Sequence, residues 1–232
     1  MAVMTPITLW LALTDAVADC GCFGDAIVLT NWQTFAKNIV LLVIAVATLL
    51  IPSMDIRFVS CKVRKILAVL GTVGIIALIG HCLYWLPIID FRPFNVGADI
   101  RAKMELPDDG TMPEILDFCI ETLDGEDVTE TVLDSKDVVL LIAPFLQTAC
   151  ESDSAKYNQL YKESVAAGKD FYCLTASSVE EIERWMAKTG AEYTFCHADD
   201  IMLKTMIRSN PGIMELKNGV VCGKWSHHDQ YK

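Results

Sequence analysis

Residues 208–225 read RSNPGIMELKNGVVCGKW, and their pattern predicts a β-hairpin. Two apolar runs, at about residues 213–216 and 220–225, are separated by Asn218 and Gly219. Asn-Gly favours a two-residue hairpin turn because both turn positions need a positive φ, which Asn and Gly tolerate. The stretch therefore predicts two antiparallel strands joined by a tight turn.

Upstream of this hairpin, strand patterns alternate with helix patterns. Residues 138–143, VVLLIA, are typical of a strand buried on both faces, and residues 170–175, DFYCLT, predict a second strand. Helices are expected at about residues 154–167, 178–188 and 199–208, the second opening on the capping box of Ser178 and Glu181. The alternation predicts a soluble α/β domain over residues 117–232.

The order of these elements resembles the thioredoxin fold over about residues 117–227, and RSNPGIMELKNGVVCGKW is similar to the end of that fold. The resemblance implies a cis bond before Pro211. Thioredoxins carry a Cys-x-x-Cys after the strand that corresponds to VVLLIA, whereas this chain reads PFLQTACESD, with Cys150 as a lone thiol. We therefore expect a thioredoxin-like domain that lacks the usual cysteine pair.

Other cysteines in this half lie on or beside predicted strands, which favours burial as small apolar side chains: Cys119, Cys173, Cys196 and Cys222. Pro144, Thr148 and Cys150 are similar in order to a peroxiredoxin motif, but their spacing is one residue short. No basic residue lies nearby in sequence to stabilise a Cys150 thiolate, which argues against a peroxidase.

The two halves of the chain differ in charge. The whole chain has 232 residues and a net charge of −11, yet residues 1–98 carry six basic and five acidic side chains. The rest therefore carries 13 basic and 25 acidic side chains. This contrast predicts a membrane domain followed by an acidic soluble domain, and it excludes the basic character of a nucleic-acid-binding protein.

Two amino-terminal segments reach the length of about 20 apolar residues that a spanning helix needs. Residues 32–51 contain Lys37 as their only charge, and residues 66–86 are uncharged and place Tyr84 and Trp85 where an interfacial aromatic belt lies. Residues 3–13 are apolar but too short to span unaided. We expect a partial membrane α-helical bundle of two to three helices over residues 1–90, then a linker at 91–116.

The basic loop between the two spans predicts the orientation. Short loops rich in Lys and Arg stay in the cytoplasm, which assigns residues 53–65 to that side. The Cys20-Gly21-Cys22 stretch and residues 88–232 then lie in the periplasm, where disulfides persist.

Gly21 permits the bend that a disulfide between residues i and i+2 requires, and a strained, exposed disulfide is typically reactive. Two unpaired cysteines in a turn, or half of a metal site, remain alternatives.

Residues 19–42, DCGCFGDAIVLTNWQTFAKNIVLL, resemble the membrane family of DoxX-like and MauE proteins in its Bacteroidetes form. That resemblance covers about residues 1–90 and implies a four-helix bundle associated with disulfide formation in exported proteins. Here the chain departs from the family, because it offers two complete spans and a partial third.

His81 is a further candidate, because it lies in the second span roughly 8 Å below its outer end at 1.5 Å per residue. Its imidazole could stabilise a thiolate or relay a proton, and the alternative is a neutral histidine bonded to a carbonyl.

Together these features predict an inner-membrane protein that performs thiol–disulfide exchange through Cys20 and Cys22. Its expected partners are the lipid bilayer and the thiols or disulfides of exported proteins. No cofactor is required, although a quinone-linked electron carrier is possible by analogy with similar bundles. The alternative is a non-enzymatic binding module tethered to the membrane.

Overall fold

The computed structural model describes residues 3–14, 30–50, 60–107, 112–229 and 231. The chain divides into two units, Met1–Ile76 and Ala77–Lys232. Cys20, Cys22 and the loop residue Arg57 lie outside the described residues, so their predicted roles stay predictions.

Among its described residues, the first unit contains two helices and the beginning of a third, which continues into the second unit: α1 (Met4–Thr14), α2 (Asn31–Leu50) and α3 (Cys61–Tyr84). α2 opens on a capping box, because the Thr30 amide donates to Gln33 Oε1 and the Gln33 amide donates to Thr30 Oγ1. α1 and α2 pack together, and the buried Asn38 Nδ2 donates to Thr8 Oγ1 over 3.1 Å.

Among the described residues, the stretch Lys62–Cys82 of α3 is long and apolar enough to cross a membrane. This is the span expected at 66–86, although the helix begins earlier and ends at Tyr84. Every described side chain from residue 62 to residue 80 is exposed. The span expected at 32–51 is helical as α2, but its first two turns carry Asn31, Gln33 and Lys37. Whether either helix crosses a bilayer stays a prediction.

The second unit is built on a six-stranded sheet with the order β1-β4-β3-β2-β5-β6. β2, β3 and β4 run parallel, and the other neighbouring pairs are antiparallel. The strands are β1 (Glu121–Thr122), β2 (Val138–Ile142), β3 (Asp170–Thr175), β4 (Thr194–His197), β5 (Gly212–Lys217) and β6 (Val220–Ser226). The helices are α4 (Ile100–Met104), α5 (Thr129–Asp134), α6 (Ser154–Ala166), α7 (Val179–Thr189) and α8 (Asp200–Met206).

The predicted hairpin and the expected cis bond are both present. Asn218 and Gly219 have φ values of 48° and 78°, and they join β5 to β6. The Asn210–Pro211 bond is cis. With this strand order, the second unit is a thioredoxin-like α/β domain.

β2 separates two apolar clusters, because successive side chains of a strand point to opposite faces of the sheet. Val138, Leu140 and Ile142 join one cluster with side chains of α5 and α8. Val139 and Leu141 join the other with side chains of α6 and α7. All five residues of β2 are buried, as expected for a strand covered by helices on both faces.

The interval 91–116, predicted as an irregular linker, contributes to the first of these clusters. Phe94, Ile100 and Ile115 are buried there. Asp99 caps α4 by accepting a hydrogen bond from the Ala102 amide over 3.2 Å. Much of this segment is therefore packed on the sheet domain.

Candidate functional site

Several loops of the second unit meet at one edge of the sheet. Ile142, the last residue of β2, pairs with Leu174 near the end of β3 and with Gly212 at the start of β5. Gly212 also pairs with Ser226 at the end of β6. Four connecting segments therefore lie together: the loops 143–153, 176–178 and 207–211 and the turn 227–229. We call this set the Cys150 edge. Carboxyl ends of parallel strands are a common place for ligand sites in α/β folds.

Cys150 lies between two short 3₁₀ turns, Leu146–Thr148 and Glu151–Asp153, in the loop after β2. It is half-buried, and its Sγ lies 3.0 Å from Ser152 Oγ. The loop is fixed to its neighbour because the Leu146 amide donates to Ser177 Oγ over 2.9 Å. The structure thus presents one partly accessible thiol at this edge.

Asn210 binds the loop of Pro211 to the loop of Cys150. Its Nδ2 donates to the backbone oxygen of Phe145 over 2.8 Å and lies 3.0 Å from Thr148 Oγ1. The thiol and the cis-proline predicted from the sequence are therefore brought to one edge.

The turn after β6 supports the Pro211 loop from its other side. Ser209 Oγ donates to the Pro211 oxygen over 2.5 Å and lies 2.9 Å from His227 Nδ1. The His227 amide donates to Ser209 Oγ over 3.0 Å. Ser209 is therefore held by a local hydrogen-bond network, in which its hydroxyl has a structural role.

Charged groups near this turn affect the pKa of His227. Burial lowers its pKa, and the nearby His228 and Lys156 act in the same direction. Asp153 and Asp229 oppose this effect. Lys156 Nζ also donates to the backbone oxygens of His227 and Asp229, which fixes the turn against the start of α6.

The other cysteines of the domain differ in accessibility. Cys173 and Cys196 are buried as predicted, and burial raises the pKa of both, that of Cys196 to about 11. Cys119 is half-buried, and its pKa is raised by burial and then by Asp127. The expectation of burial is wrong for Cys222, because its position on β6 points outward.

His81 is half-buried near the end of α3, and its ring stacks on Trp85 with centroids 5.2 Å apart. Cys20 and Cys22 lie outside the described residues, so a contact between them and this imidazole stays a prediction. Its role in proton transfer stays a prediction.

A row of rings was not anticipated from the sequence. Trp85 contacts Tyr84 with centroids 4.5 Å apart, and Tyr84 stacks on His228 at 3.7 Å and 6°. His228 in turn contacts His227 at 3.7 Å. The row connects the end of α3 to the network around Ser209, and no local sequence signal indicates a contact between residues so far apart.

A groove of about 550 Å³ opens beside the Cys150 edge. Phe145, Ala176 and Ala198 contribute to its walls, and Asp199 and Asp200 make part of its lining acidic. In the part of the chain that the structure describes, no group of three or more His, Cys, Asp or Glu side chains is placed to hold a metal ion. The groove therefore presents a mixed apolar and acidic surface, and the cysteine that lines it is Cys119 rather than Cys150.

Several solved structures are similar to part of this chain. The thioredoxin domain of a thiol-disulfide oxidoreductase from Bacteroides vulgatus is 15% identical over 46% of this chain and 81% of that one, with a TM-score of 0.39. A secreted Mycobacterium tuberculosis disulfide oxidoreductase homologous to E. coli DsbE is 17% identical over 45% and 79%, with a TM-score of 0.37. A thioredoxin-like protein from Aeropyrum pernix is 14% identical over 47% and 80%, with a TM-score of 0.39.

No family model and no curated protein matches the chain. The thioredoxin-like assignment of the second unit therefore depends on its own strand order and on the position of its cis-proline.

Proposed function

We propose that this protein is anchored in the bacterial inner membrane and takes part in thiol–disulfide exchange at the periplasmic face. The observation that carries the proposal is the pair of Asn210 hydrogen bonds that hold the Pro211 loop against the loop of Cys150. They hold a partly exposed thiol at an edge formed by several loops. A cysteine of a partner protein can approach Cys150 there.

The chemistry available to Cys150 alone is the capture of a disulfide. Its thiolate attacks one sulfur of the partner disulfide, a mixed disulfide forms, and the other partner sulfur leaves as a thiolate. Within the described part of the domain, the buried Cys173 and Cys196 have raised pKa values and are poor attacking groups. Cys150 can therefore hold a partner as a mixed disulfide, but the net oxidation of a partner needs a separate pair of cysteines.

We assign the oxidation of partner thiols to the Cys20-Gly21-Cys22 pair, in keeping with its resemblance to DoxX-like and MauE proteins. Cys20 and Cys22 are the two cysteines closest together in the sequence. When they are oxidised, a partner thiolate attacks one of them and releases the other as a thiolate. A second partner thiolate then attacks the partner sulfur of this mixed disulfide and releases the remaining cysteine of the pair as a thiolate, so two electrons pass from the partner to the pair and the partner gains a disulfide.

The flanking charges favour this direction. Asp19 and Asp25 disfavour a thiolate at Cys20 and Cys22, so the reduced pair is a slow nucleophile and the oxidised pair is the reacting form. His81 would offset the aspartates if it lies close to the pair. Reoxidation then needs an electron acceptor, for which a membrane quinone is one chemical class.

The test is to trap the mixed disulfide. Cys20→Ser and Cys22→Ser, each made in a full chain that also carries Cys150→Ser, should each form a partner adduct that a reducing agent removes, and the double variant of Cys20 and Cys22 in the same background should form none. Cys222→Ser, which removes an exposed thiol elsewhere on the domain, is the matched control. If neither single variant forms an adduct and the wild-type pair stays reduced in an oxidising buffer, the exchange proposal is wrong.

The second candidate function is a tethered binding module that performs no exchange. It is favoured by the lack of a Cys-x-x-Cys after β2, since Cys150 has no cysteine within three residues. In that case the Cys150 edge would hold a partner non-covalently. Partner capture would then be unchanged in Cys150→Ser and in the double variant of Cys20 and Cys22.

A further inference from the structure

The end of α3 contacts the Cys150 edge through a short series of side chains. The Tyr84 ring stacks on His228 with centroids 3.7 Å apart, and His228 precedes Asp229 in the turn after β6. His227, in the same turn, is hydrogen-bonded to Ser209, which donates to the Pro211 oxygen. The end of α3 is therefore connected to the cis-proline loop through three side chains, those of His228, His227 and Ser209.

The segment that follows α3 is fixed to the sheet domain. Lys224 Nζ pairs with Asp90 over 2.6 Å, and their side chains are only 6% and 21% exposed. Arg92 Nη1 donates to the backbone oxygens of Lys204 and Thr205, near the end of α8. The domain is therefore held close to the end of α3 by a folded segment with its own ion pair and hydrogen bonds.

Large apolar side chains on this segment face outward. Ile88 and Ile89 are 72% and 65% exposed, and Phe91 and Val96 are 58% and 60% exposed. Ile88 is four residues beyond Tyr84, so their Cα atoms are at most about 14 Å apart along an extended chain. If Lys62–Cys82 spans a bilayer, these side chains lie at its surface, where apolar groups are favoured.

We infer that the substrates of the Cys150 edge are cysteines located at the membrane surface, in membrane proteins or in segments held against the bilayer. This inference depends on the proposed function, because it needs both the membrane anchor and exchange at Cys150. A thiol in a domain attached to the end of a membrane helix meets surface-bound disulfides at a high effective concentration. Freely diffusing proteins gain no such advantage.

The test compares a lipid-linked disulfide with a soluble one. The full chain is reconstituted in phosphatidylcholine vesicles that contain a phosphatidylethanolamine carrying a pyridyl disulfide on its headgroup. Attack by the Cys150 thiolate forms a lipid–Cys150 disulfide, breaks the pyridyl disulfide and releases pyridine-2-thione, whose absorbance gives the rate. A soluble pyridyl-disulfide peptide is the second probe. For each probe, the rate assigned to Cys150 is the part of the pyridine-2-thione release rate that the Cys150→Ser substitution removes.

A thiol moved to the other end of α6 gives the matched control. Val165 is exposed near the end of α6, whereas Cys150 precedes its start. The control variant combines Cys150→Ser with Val165→Cys. The rate assigned to the new thiol is the rate of pyridine-2-thione release by this variant minus the rate of release by Cys150→Ser alone. We expect the lipid probe to react at least about tenfold faster with Cys150 than with the thiol at position 165, as effective concentration predicts. The soluble probe should react with both thiols at similar rates.

The possible failures are distinguishable. If the lipid probe shows no preference for Cys150 while the soluble probe reacts there, the inference is wrong and the exchange proposal stands. If neither probe reacts at Cys150, exchange at this thiol is wrong. If the protein does not float with the vesicles, the membrane anchor is wrong, and this inference with it.

Discussion

Asn210 Nδ2 lies 2.8 Å from the backbone oxygen of Phe145, which joins the loop before β5 to the loop after β2. This contact connects two segments that the sequence separates by the whole of β3, β4 and three helices. It fixes the position of the Cys150 loop relative to Pro211. The exposure and the reactivity of the Cys150 thiol should therefore depend on the Asn210 side chain.

Replacing Asn210 with Ala should loosen the Cys150 loop. The change removes two hydrogen bonds, each worth about 1 kcal/mol, so the free energy of unfolding should fall by about 1–2 kcal/mol. Chemical denaturation of the full chain in detergent measures the loss, and Cys150 should also react faster with a small thiol reagent. Gln159→Ala, which changes an exposed side chain of α6, is the control. Unchanged Cys150 reactivity in Asn210→Ala would contradict the role given to this contact.

The ion pair between Asp90 and Lys224 should be sensitive to the loss of one partner. Lys224→Met leaves the Asp90 carboxylate largely buried without its cation, and we expect a loss of about 3 kcal/mol in the free energy of unfolding. Adding Asp90→Asn should restore part of that loss, because the unpaired charge is then removed. The exposed pair of Lys204 and Asp200 is the comparison, and breaking it should cost less than about 1 kcal/mol. Equal losses from the two pairs would show that burial of the first has no energetic consequence.

His227 should make the domain less stable in acid. Its folded-state pKa is lowered, first by burial, so below a pH of about 6.5 the unfolded state binds a proton more readily than the folded state. The free energy of unfolding should therefore fall as pH decreases below that value, until the folded histidine is also protonated. His227→Gln should show a smaller decrease between about pH 7 and pH 5 in chemical denaturation. A steeper decrease in the variant than in the wild type would contradict this assignment.

The free thiols of the domain should differ in reactivity according to burial. Cys150 and Cys222 should be alkylated in the native protein, whereas Cys173 and Cys196 should react only after denaturation. Mass spectrometry of peptides from native and denatured samples gives the modified fraction at each position. Rapid modification of Cys173 in the native state would show that the apolar cluster around it opens easily.

The predicted topology can be tested with a membrane-impermeant thiol reagent on cells without an outer-membrane barrier. After reduction, a variant that retains only Cys20 should be labelled, and one that retains only Cys61 should be protected. The expectation follows from the basic residues of the loop at 53–65 and the positive-inside rule. The reverse pattern would overturn the periplasmic assignment of the soluble domain.

The elements predicted correctly from the sequence are those with a strong local pattern. The strands at 138–143 and 170–175 and the hairpin were identified because their apolar runs and turn residues are contiguous. β1 has two residues and β4 has four, so neither has a periodic pattern long enough to recognise. The capping box of Ser178 and Glu181 was also identified, because it is a local hydrogen-bonding motif.

The candidate site was predicted less completely. Cys150 and Pro211 were identified because a resemblance located each of them separately. The contact that brings their loops together joins Asn210 to Phe145, and these residues are far apart in the chain, as are Tyr84 and His228. Such contacts depend on tertiary packing, which a single sequence does not reveal. The exposure of Cys222 was missed for a related reason, since strand membership alone does not determine which face a residue occupies.

The central position of β2 has a consequence for the synthesis of the protein. Val138–Ile142 is entirely apolar and pairs with β5, whose residues leave the ribosome about seventy positions later. Until β5 is available, the nascent chain carries an apolar strand with one unpaired side, which is a typical starting point for aggregation. The growing chain therefore needs protection, from a holding chaperone or from rapid export, between the synthesis of β2 and that of β5.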